Sequence, residues 1–131
     1  MKVKVIFEMA KDGGCSCYMV DEMPHFGLTG YGDNPHEAKA DLLEAYNEIK
    51  EILKEEGKNV PELDFEYHYD MKSFFEYFDF LNISKVAELA GINPSLMRRY
   101  VSGASNAGET QYLKLQNAVQ GIAQELAAAH F

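Results

Sequence analysis

The chain opens on alternation. In KVKVIFEM, residues 2–9, Val3, Val5, Phe7 and Met9 fall on one face, and a period of two predicts a half-buried strand. Lys11-Asp12-Gly13-Gly14 supplies turn chemistry, and CSCYMV, residues 15–20, makes a second strand, so the pair reads as a hairpin. Pro24 breaks it. FGLTGY, residues 26–31, is a short third strand in which Gly27 and Gly30 mark a bend, a bulge or a close approach. The period then changes. Asn34-Pro35-His36-Glu37 starts a helix with an Asn cap, a Pro at the first helical position and a Glu placed to complete a capping box. Ala38, Leu42, Ala45, Tyr46, Ile49 and Leu53 make its apolar stripe; it should end near Glu56, before Gly57. Asp41, Glu44, Glu48, Glu51 and Glu55 lie on its outer face. After Pro61, LDFEYHY (63–69) alternates again. Residues 1–70 therefore predict a βββαβ domain, one sheet with a helix on one face.

Residues 71–131 predict a small all-α domain, giving an α+β chain. MKSFFEYFDFL, 71–81, is aromatic-rich and is expected as the first helix of that domain, docking it onto the sheet; a dimer surface is the alternative. ISKVAELAGINPSLMRRYVS, 83–102, has the spacing of a helix-turn-helix. Ala87 lets two helices cross closely, and Gly91 permits the positive φ of a tight turn. Val86, Ala90, Ile92, Met97 and Tyr100 pack the helices together. The second helix then exposes Asn93, Ser95, Arg98, Arg99 and Ser102, a set suited to phosphates and base edges in a major groove. A helical hairpin that merely packs is the plainer alternative. A final helix from about Glu109 to Ala128 presents Leu115, Val119, Ile122 and Leu126 as a core stripe.

Charge sharpens the division. The 131 residues carry a net charge of −9, which by itself argues against nucleic acid. Residues 1–80, however, hold 18 Asp/Glu against 8 Lys/Arg, and residues 81–131 hold 3 against 4. A near-neutral half with adjacent arginines suits DNA, and an acidic half suits a basic protein partner; a solvated acidic surface is the alternative. No apolar run approaches the ~20 residues that cross a bilayer, and the N-terminus alternates with charge, unlike a signal peptide. A cytoplasmic protein is expected.

Catalytic and metal chemistry find little support. Gly13-Gly14 lacks a following Lys-Ser/Thr, and Gly27, Gly30 and Gly32 lack dinucleotide spacing. No nucleophile elbow is present. Glu8, Glu66 and Asp70, near strand ends, are the acids left for a hydrolase. Cys15 and Cys17 with His25, His36, His68 and His130 lack the spacing of a zinc site, and the cysteines read as two buried small residues. No enzyme activity, cofactor or metal is expected.

PHFGLTGYGDNPHEAKADLLEAYNEIKEIL, residues 24–53, resembles the strand, Gly/Asp turn and helix of the HicB antitoxin family, and FLNISKVAELAGINPSLMRRYVSG, residues 80–103, resembles the Cro/Xre-type helix-turn-helix that many members carry. The likeness covers nearly the whole chain. It implies a partial ribonuclease-H-like first domain without nuclease activity, which binds and blocks a small basic RNA-cleaving toxin of the HicA type. It also implies repression of the chain's own operon through the second domain, as a homodimer or higher oligomer bound to double-stranded operator DNA. Ala104 and Ala107 stand where Cro/Xre-like loops often carry Lys or other polar groups, which implies few phosphate contacts from that loop. The toxin-facing surface is expected on the sheet and the acidic helix, including Glu44, Glu48 and Glu51. A stand-alone regulator whose first domain senses a ligand or mediates oligomerisation remains the alternative. Arg98→Ala and Arg99→Ala are expected to differ. Loss of a guanine-reading arginine costs ~1–3 kcal/mol and relaxes one base position, whereas loss of a phosphate contact lowers the salt slope by about one. Binding titrations across salt with base-substituted duplexes check this.

Overall fold

The computed structural model describes residues 1–10 and 12–131; Lys11, placed in the expected turn, lies outside the described residues. The order is β1 (Lys2–Met9), β2 (Cys15–Met19), β3 (Thr29–Gly32), α1 (Pro35–Glu55), β4 (Asp64–His68), α2 (Met71–Tyr77), α3 (Ile83–Ala90), α4 (Pro94–Ser102) and α5 (Glu109–Ala128). The fold is α+β. Two compact units divide it, Met1–Tyr77 and Phe78–Phe131. The division falls later than the expected 70/71 boundary because Met71 and Phe75 are buried and α2 packs on α1 and β1. The aromatic helix thus completes the first unit instead of opening the second.

In the first unit the sheet order is β3-β2-β1-β4. β1 pairs antiparallel with β2 and parallel with β4, and β2 pairs antiparallel with β3. Alternation buries Val3, Val5, Phe7, Cys15 and Cys17 on the face that α1 covers, joined there by the half-buried Phe65 and Tyr67. Register aligns Gly30, Cys17 and Phe7 in one row across three strands, and Gly32, Cys15 and Met9 in another. Side-chain size therefore grows from β3 toward β1, and the helix lies closest to β3. A Cβ at Gly30 would stand 2.2 Å from the Ala38 carbonyl oxygen, and one at Gly32 would stand 2.4 Å from Glu37 Cβ. The close approach anticipated at Gly30 is present, and Gly32 doubles it.

Asn34 caps α1 by accepting from the Glu37 N–H at 2.9 Å. The Glu37 carboxylate reaches past the expected capping-box partner and accepts instead from Asp33 N–H at 2.7 Å. Asp41 accepts from Tyr31 N–H at 2.9 Å, so α1 seals a backbone donor of the edge strand β3. Tyr46, buried at the centre of the helix, donates its hydroxyl to Pro61 O and accepts from Leu63 N–H, which fixes the approach to β4.

In the second unit α3 packs against α4 and α5 around Val86, Ala87, Ile92, Met97 and Leu115. The α5 stripe fades with distance: Leu115 is buried, Val119 and Ile122 are half-buried, and Leu126 is 63% exposed, contrary to the expected continuous core. The reason is length. At 1.5 Å per residue, the 8-residue α3 spans roughly 12 Å and the 20-residue α5 roughly 30 Å, so the shorter helix cannot cover the longer one. No helix among the described residues is long and apolar enough to cross a membrane.

Gly30→Ala is expected to destabilise by about 3 kcal/mol or to prevent folding, because the clash is with backbone rather than a movable side chain. Gly27→Ala, which meets nothing within 4 Å, should stay within about 0.5 kcal/mol of the parent. Urea unfolding of the two variants side by side checks the contrast.

Candidate nucleic-acid interface

α3 begins where Asn82 accepts from Lys85 N–H at 3.0 Å. It ends at Gly91, whose φ of 73° lies in the left-handed region that a side chain disfavours. Gly91 N–H bonds to Glu88 O at 3.2 Å and Ile92 N–H to Ala87 O at 2.9 Å, the paired bonds of a Schellman stop. Ile92 is thereby turned into the core. Asn93 follows and caps α4, its Oδ1 accepting from Ser95 N–H at 2.9 Å and Leu96 N–H at 3.3 Å, with Pro94 in the first turn. The three residues Gly91-Ile92-Asn93 are the whole turn.

Of the expected packing residues, Val86, Ala87, Ile92 and Met97 are buried, Ala90 and Tyr100 are half-buried, and Gly91 is exposed at the turn. Asn93, Ser95, Arg98, Arg99 and Ser102 are all exposed. Two of them bond local backbone with their side chains, which the base-edge expectation omitted. Asn93 uses its side-chain oxygen as the cap, and Ser102 donates to Arg99 O at 3.1 Å while accepting from Ala104 N–H at 3.4 Å. The free faces of α4 are therefore dominated by Ser95, Arg98 and Arg99. Arg98 donates from Nη1 to Ser84 Oγ at 2.8 Å and from Nη2 to Ser95 Oγ at 3.3 Å. The salt bridges formed among the described residues, Lys58–Glu56, His68–Glu66 and Lys85–Glu88, leave both guanidiniums without a carboxylate. Sequence spacing missed Ser84, which is on the other helix, and missed the capping role of Asn93, although the Asn93-Pro94 pair repeats Asn34-Pro35.

The acids elsewhere are dispersed. Glu44, Glu48 and Glu51 are exposed on α1, spaced to lie along one side of the helix. Glu8 accepts the Tyr18 hydroxyl at 2.9 Å, Glu66 meets His68 Nε2 at 2.6 Å, and Asp70 accepts from Ser73 N–H at 2.7 Å. The hydrogen bond to His68 holds the Glu66 carboxyl below its ordinary range. Among the described residues no three His, Cys, Asp or Glu side chains gather as metal ligands. A shallow groove of about 320 Å³ beside the β1–β2 turn is lined by Glu8, Asp12, Ser16 and Tyr31 among others. His36 is exposed on the first turn of α1, where it stacks on Tyr77 with ring centroids 4.0 Å apart and its Nε2 meets Tyr77 O at 2.8 Å; it ties α2 to the start of α1.

Compared with protein-family models, curated proteins and solved structures, the chain has no significant match.

Both cysteines are free and buried. Burial, then the charges of Asp70 and Glu76, push the Cys15 thiol up to about 11. Burial, then Cys15, pushes Cys17 up to about 12. The unfolded chain ionises both thiols near pH 9 while the fold keeps them neutral, so their contribution is fully present below pH 9 and is lost as pH rises toward 12. Two outcomes are expected. Urea midpoints should fall above pH 9 and fall less in a Cys15→Ala/Cys17→Ala protein, and alkylation at pH 8 should be slow until denaturant is added. Asn93→Ala, which removes the α4 cap, should cost about 1 kcal/mol, read as a lower thermal midpoint.

Proposed function

We propose that the chain is a HicB-like antitoxin and autorepressor. Its first unit binds a small basic RNA-cleaving toxin through the acidic side of α1, and its second unit binds operator DNA through α4. The observation that carries the proposal is the exposed face of α4, where Ser95, Arg98 and Arg99 stand outward on a helix held by a three-residue turn, with no carboxylate paired to either arginine among the described residues. Such a helix fits a major groove with its donors toward base edges and phosphates. Support for the toxin half comes from the resemblance to that family, the β1-β2-β3-α1-β4 order that opens the first unit, and the charge partition. Glu44, Glu48 and Glu51 steer a basic protein and would repel DNA, so the two partners are directed to different units.

The test is co-expression with a HicA-type toxin encoded beside this chain. A complex that silences RNA cleavage supports the antitoxin role; a chain that binds duplex DNA but leaves a neighbouring basic toxin active refutes it. Glu44→Lys/Glu48→Lys/Glu51→Lys is expected to slow association with the toxin at least tenfold at low salt, and by much less at high salt, because rim charges act mainly on encounter. Stopped-flow association rates at two ionic strengths check this, and equal rates for parent and variant would move the toxin surface elsewhere. Duplex binding by the same variant should be retained.

A further inference from the structure

Arg98 and Arg99 are neighbours in sequence and differ in constraint. The Arg98 guanidinium is held at both ends, by Ser84 Oγ from the first turn of α3 and by Ser95 Oγ from one turn back on α4. The Arg99 side chain has no hydrogen bond or ion pair among the described residues. A guanidinium has five N–H donors in a rigid plane; two of Arg98's are engaged and three remain. Its charge is also left whole, since the acceptors are neutral hydroxyls. Joining α3 to α4 does not account for it, because Ala87, Ile92 and Met97 are buried between them while Arg98 is exposed.

The two arginines meet different geometric demands. A bidentate contact to guanine O6 and N7 requires the plane of the fork to coincide with the plane of the base, so it rewards a guanidinium oriented in advance. A phosphate offers acceptors over a wide solid angle and gains little from orientation, so an unrestrained arginine serves as well. From these constraints we infer that Arg98 is the guanine-reading residue of α4, that Ser84 on α3 is its positioning residue, and that Arg99 contacts the DNA backbone. This rests on the DNA-binding role proposed above. It makes the reading head a two-helix device: the base contact comes from α4, and its aim comes from α3.

The experiment uses the full-length chain and a randomised duplex library to select a preferred site, followed by titrations of that site and its single-base variants across salt. Arg98→Ala is expected to erase the preference for guanine at one position, a loss of discrimination of roughly ten- to a hundredfold. Ser84→Ala should lower discrimination at that same position by roughly two- to tenfold, with the salt slope unchanged. Ser84→Thr, which restores the hydroxyl, should recover it. Arg99→Ala should keep every base preference and lower the salt slope by about one. Ser95→Ala, measured beside these, removes the other hydroxyl and is expected to shift the same position, which keeps the test decisive should Ser84→Ala fail to fold. Ser84→Ala weakening all duplexes equally, or a Ser84→Thr protein no better than Ser84→Ala, would overturn the positioning role while leaving DNA binding intact. A parent chain with no salt-dependent duplex binding would instead remove the DNA-binding proposal itself.

Discussion

Backbone meets backbone where α1 crosses β3, and the first unit is organised by that contact. With hydrogen in place of Cβ at Gly30 and Gly32, the helix comes so near that Cys17 Sγ donates to the Ala38 carbonyl oxygen at 3.2 Å. Everything across the sheet follows from this tilt. The row from Gly30 through Cys17 to Phe7 fills a wedge that is thin at β3 and thick at β1, and Phe65 and Tyr67, paired with Val3 and Val5, pack against the same core from β4. The wedge also puts Asp41 and Glu37 within reach of backbone N–H groups at Tyr31 and Asp33. Burial of the thiols, closure of the sheet edge and the line of α1's exposed carboxylates are thus consequences of one spacing.

The second unit is governed differently, by helix ends rather than by a layered core. Asn82, Gly91 and Asn93 between them bond terminal backbone groups at both ends of α3 and at the start of α4. Neither helix is long enough to be stable alone. At their crossing Ala87, Ile92 and Met97 are all buried, and Ala87 carries no side chain beyond Cβ to hold the helices apart. A small core tightly capped leaves the outer side of α4 with little structural duty, and among the described residues its arginines form no ion pair.

Local signals were legible and long-range ones were not. The strand at residues 2–9, the cap at Asn34-Pro35, the turn at Gly91 and the exposed set on α4 each depend on residues within a few positions of one another, where period and capping chemistry operate. Strand order was invisible, because β1 pairs with a segment from the far end of its unit. The apolar residues of α2 announced docking onto the sheet, which β1 receives, but not that the helix would group with the first unit and not the second. Leu126 failed for the complementary reason: a stripe records which side of a helix is apolar, not how far its neighbour extends. Ser84 and Arg98 are linked only through the crossing of α3 and α4, and no spacing rule ties a serine on one helix to an arginine on the next.

The parallel pairing of β1 with β4 carries a consequence for synthesis. β1 emerges before β2 and pairs with it across a short sequence separation, but its other edge stays open until Asp64–His68 has been made. During that interval Val3, Val5 and Phe7 also lack the helix that will cover them. Closure is a late, non-local event, and such pairings are slow and leave hydrophobic edges available to other chains. A nascent chain stalled inside α1 would therefore present an adhesive strand, so the rate of translation through residues 35–68 sets how long the molecule is vulnerable to aggregation.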